Sequence, residues 1–106
     1  MIAILASEEN HESISEALID TKIIYEKVGE FAWRDLEIYI KEIRNMDEVD
    51  LLILDFKITQ DPGDIVKAIR NYRLVREDER VIVLVNDTNL AEALAEYRVY
   101  DFVFLT

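Results

Sequence analysis

The chain has no cysteine, which excludes disulfides, thiol nucleophiles and cysteine-held zinc or iron–sulfur centres. Glycine occurs only at Gly29 and Gly63, and proline only at Pro62. Neither glycine follows the first apolar run, so no glycine-rich loop can cradle a dinucleotide or a nucleoside triphosphate, and flavin, NAD and ATP sites are disfavoured. The single histidine, His11, has no second imidazole with which to share a metal, and it is expected as a solvent-exposed helix residue. Ser7 and Ser13 lack a base beyond that same local turn, so serine hydrolysis has no support. No apolar run approaches the ~20 residues of a membrane helix. Basic residues are outnumbered, 12 Lys and Arg against 23 Asp and Glu for a net charge of −11. That field repels phosphate backbones, so no direct nucleic-acid binding is expected. Met1-Ile2-Ala3-Ile4-Leu5 enters an apolar strand with no basic leader, and a cytoplasmic location is expected.

What is present, in 106 residues with 51% hydrophobic and 33% charged side chains, suits one folded domain. Its centre is Asp50-Leu51-Leu52-Ile53-Leu54-Asp55-Phe56, four aliphatic residues between two aspartates. The run shows no polar alternation, as in a parallel strand covered by helices on both faces. Ile2–Ala6 and Val81–Val85 read the same way. Ile23-Ile24-Tyr25 with Lys22, Glu26 and Lys27 reads as an edge strand, where charge discourages further pairing. Asp101–Thr106 is a fifth strand. Between them lie four helical patterns. Ile14, Ala17 and Leu18 mark the first, and Leu36, Tyr39, Ile40 and Ile43 the second, with Phe31, Trp33 and Tyr39 assigned to the core. Ile65, Val66, Ile69 and Tyr72 follow the Asp61-Pro62 cap, and Leu90, Ala93, Leu94 and Tyr97 follow Asn86–Asn89, where Asn89 and Glu92 have capping-box spacing. This alternation predicts an α/β three-layer sandwich, a five-stranded parallel sheet of flavodoxin-like order 2-1-3-4-5.

Ligands of open α/β sheets bind at the carboxyl ends of the strands. There the sequence offers Ser7, Glu8 and Glu9 after strand one, Asp55 after strand three, and Asn86 and Asp87 after strand four, groups expected to converge. Carboxylates meeting there could hold magnesium. Equally, each residue could simply cap the helix that follows it.

At these residues the chain resembles the response-regulator receiver (CheY-like) superfamily. Asp50–Asp55 looks like the family's phosphoacceptor strand, and Gly63 stands eight residues after Asp55, where the family has a glycine opening its third helix. Val81–Val85 and Tyr100–Val103 look like its fourth and fifth strands. The resemblance implies phosphoryl chemistry at Asp55, with two acids holding Mg2+, a hydroxyl and a lysine. Here Ala6 and Ser7 occupy the acid positions, Val85 the hydroxyl position and Leu105 the lysine position, while Lys57 sits on another loop. Without the charge-neutralising groups such a site loses most of its power. The chain therefore looks like an atypical receiver, or pseudoreceiver: not an enzyme, without cofactor, used for protein contacts. The ending Val99–Val103 is similar to receivers found at the N-terminus of MinD-like ATPases of the TadZ/CpaE kind. The alternative is a phosphorylatable two-component receiver, with Asp55 as phosphoacceptor and Glu8, Glu9 and Asp55 as Mg2+ ligands. Under the pseudoreceiver reading, Asp55→Asn should leave folding nearly unchanged.

One further expectation concerns coverage. In the proposed topology the first helix and a fifth helix share one sheet face, yet strand five ends the sequence. The chain reads as the N-terminal part of a longer protein, with a bare apolar patch at the strand 4, helix 4, strand 5 face to which Val83, Val85, Val103 and Leu105 contribute. A protein partner or self-association as a dimer would cover it.

Overall fold

The computed structural model describes residues 1–105. Strands and helices alternate as β1 (Ile2–Ala6), α1 (Glu8–Ala17), β2 (Ile23–Val28), α2 (Trp33–Arg44), β3 (Leu51–Asp55), α3 (Pro62–Arg73), β4 (Arg80–Val85), α4 (Thr88–Ala95) and β5 (Asp101–Phe104). A 3-10 turn, Phe56–Ile58, follows β3. All strand pairs are parallel, in the order β2-β1-β3-β4-β5, a flavodoxin-like arrangement. No helix follows β5 among the described residues, and Thr106, the predicted end of that strand, lies outside them. Among the described residues no helix is long and apolar enough to cross a membrane.

Local chemistry sets the element boundaries. The Asp61 side chain accepts the Gly63 N–H at 2.8 Å and Pro62 takes the first helical position of α3, where its missing N–H costs nothing. At α4 the cap is Asp87, which accepts the Leu90 N–H at 3.0 Å. Asn89, the capping-box candidate, is already inside the first turn, because Asp87 is the last residue with extended backbone. Gly29 ends β2 at φ 148°, a conformation side chains resist, and its N–H reaches the Ala6 carbonyl at 2.9 Å.

The two sheet faces are unequally covered. Nineteen buried residues form the core beneath α2, α3 and α4, against six on the α1 side: Ile2, Ile4, Ala6, Ile14, Ile53 and Leu84. Register decides which face each strand residue joins. Leu54 pairs with Val83 and Val83 with Phe102, whereas Ile53 pairs with Ile82 and Leu84 with Val103. Paired residues of a parallel ladder share a face. Val83 and Val85 are consequently buried under α3 and α4, which corrects the expectation that they line the bare patch. The less covered strip is Ile82, Val103 and Leu105, on the α1 face beside the buried Leu84. Alternation along β4 could not reveal this, since the strand is apolar on both faces.

At the end of the sheet opposite the carboxyl ends, an arginine ties together two loops, the one after α3 and the one after α4. Arg73 is only 7% exposed. Its Nε donates to the Tyr97 carbonyl (2.8 Å), Nη1 to the carbonyls of Arg76 (2.8 Å) and Glu79 (2.6 Å), and Nη2 to that of Arg98 (3.1 Å). Burial holds its pKa below the usual arginine value. Arg76 does similar work, donating to the carbonyls of Arg44, the last residue of α2, and of Met46 just beyond it. Carbonyls at the end of α2 and in the loops after α2, α3 and α4 are thus satisfied by guanidinium groups.

Candidate functional site

Asp55 ends β3 at the position where an open α/β sheet offers its crevice, yet it is 0% exposed. Its carboxylate is filled from within the chain. Oδ2 accepts the Ser7 N–H (2.9 Å), the Ser7 hydroxyl and the Asn10 amide (3.1 Å). Oδ1 accepts the same Asn10 amide (3.1 Å) and the Lys57 N–H (3.0 Å). Ser7 is the N-cap of α1, its hydroxyl also accepting the Asn10 N–H at 3.3 Å. One polar knot therefore joins the start of α1 to the ends of β1 and β3. The capping reading of Asp55 and Ser7 holds, with an addition: Asp55 caps the 3-10 turn through Lys57 and anchors α1 at the same time.

The sequence could not show this pairing, because Ser7 and Asn10 lie 48 and 45 residues from Asp55. The only available signal was the hydroxyl and amide standing after strand one where carboxylates would repel Asp55. The donor set also changes what Asp55→Asn is expected to do. An asparagine offers one acceptor oxygen and turns an NH2 group toward donors, so it should cost stability rather than be silent.

The remaining candidates do not gather on Asp55. Glu9 pairs with Lys57 Nζ at 2.6 Å in an exposed ion pair. Glu8 lies with Glu9, Glu30, Phe56 and Lys57 along an open depression. Among the described residues no three His, Asp or Glu side chains are placed to hold a metal ion. Asn86 and Asp87 line a separate groove with Pro62 and Gly63, between the starts of α3 and α4, so the expected convergence of all these groups does not occur. Asp87 is instead spent on capping α4, as Ser7 is on α1. His11 is half-buried instead of solvent-facing, its Nε2 3.1 Å from Glu26 Oε1 on β2 and 3.3 Å from Ser15 Oγ. Phe31 and Tyr39 stack edge-to-face at 5.0 Å over the large core, and Trp33 carries Lys67 Nζ 4.3 Å above its ring.

The second feature is an apolar groove between α1 and β5. Ile14, Ala17 and Leu18 form its wall, and Ile82, Leu84, Val103 and Leu105 its floor and outer rim. Val103 remains 47% exposed. Compared with protein-family models, curated protein sequences and solved structures, the chain matches none.

Proposed function

We propose that this chain is an atypical receiver, a pseudoreceiver that acts as a non-catalytic, cytoplasmic regulatory or protein-interaction module. The observation that carries this reading is the occupancy of Asp55. Both of its oxygens are committed to Ser7, Asn10 and Lys57, leaving no face for a metal ion or an incoming phosphoryl group. The groups that would neutralise charge in phosphoryl transfer are missing around it, with Ala6 and Val85 buried and apolar. The contact surface of the module is the less covered strip over β4 and β5, taken by a protein partner or a second copy.

The test is incubation with acetyl phosphate, or with beryllofluoride, in the presence of magnesium, followed by intact mass and amide NMR. The expected result is no mass adduct and no saturable shift at Ser7, Asn10 or Asp55. A stoichiometric phosphoryl adduct on Asp55 would overturn the reading in favour of a phosphorylatable receiver.

A further inference from the structure

We draw no further inference here: the strongest candidate, the apolar groove between α1 and β5, has no charged side chain along its lining, and nothing in the structure shows what covers it.

Discussion

Replacing Arg73 isolates what the buried guanidinium contributes. Arg73→Met keeps the aliphatic stem but deletes every donor, stranding the carbonyls of Tyr97, Arg76, Glu79 and Arg98. A charged hydrogen bond contributes about 1.5–3 kcal/mol net, and the four share one group and are not additive. Relief of the guanidinium's own desolvation offsets part of the loss, as does water reaching the loop carbonyls once the side chain is gone. The net cost should be about 3 kcal/mol, a large part of the ~5–15 kcal/mol typical of a domain. With a urea slope of about 1–2 kcal/mol per molar for a chain this size, the midpoint should fall by about 1.5–3 M. Trp33, the only tryptophan, reports unfolding by fluorescence, and far-UV circular dichroism should trace the same transition. Arg73→Lys separates charge from geometry: an ammonium keeps the charge but cannot fork to both the Tyr97–Arg98 and Arg76–Glu79 sides, so it should recover less than half the loss. A methionine variant within about 1 kcal/mol of the parent, or a lysine variant equal to it, would refute the tie across the two loops.

Tyr72 is fully buried and its hydroxyl has no hydrogen-bond partner, so Tyr72→Phe should be neutral or stabilising by up to about 1–2 kcal/mol. Burial pushes the Tyr72 pKa up to about 12 from 10.0; a raised folded-state pKa stabilises below the unfolded value, so stability should fall from pH 10 to pH 12. Parallel denaturation curves at alkaline pH should show a smaller fall in the phenylalanine variant, with Tyr25, raised by burial and Glu42, accounting for part of what remains. Asp55→Asn should cost about 2–3 kcal/mol and Ser7→Ala about 1–2 kcal/mol, with a coupling of at least about 0.5 kcal/mol in the double variant; strict additivity in urea denaturation would deny the Ser7–Asp55 bond. Asp87→Ala should lower stability by about 1 kcal/mol while Asn89→Ala does nothing, and thermal melts giving the reverse order would restore Asn89 as the cap.

Much of the architecture was legible because parallel strands buried on both faces are continuous aliphatic runs, as Leu51–Leu54 and Val81–Val85 are, and because Asp61-Pro62 announces a helix by local chemistry alone. The same continuity hid orientation. A strand that is apolar at every position carries no mark of which residues face which layer, so Val83 and Leu84 could be told apart only through their partners Phe102 and Val103. At the candidate site the carboxylate was visible and its neighbours were not. Ser7 and Asn10 carry ordinary capping chemistry, and their second task, closing Asp55, exists only after β1 and β3 are side by side. Arg73 was hidden for a similar reason: a guanidinium in the last turn of an amphipathic helix reads as surface until the loops after α3 and α4 fold over it.

The unequal depth of the two cores has a kinetic side. α1 sinks only Ile14 fully into the sheet and is otherwise fastened by Ser7 and Asn10 to Asp55, whereas α2 and α3 each bury three or more side chains. Such a helix is a candidate for sub-global opening, released while β1, β3, β4 and the α2–α4 layer stay folded. Native-state amide exchange should find α1 protected by a smaller free energy than β3 or α3. The polar knot at Asp55 then acts as the latch of that motion, and whatever occupies the groove beside α1 would slow it by resting against the same wall.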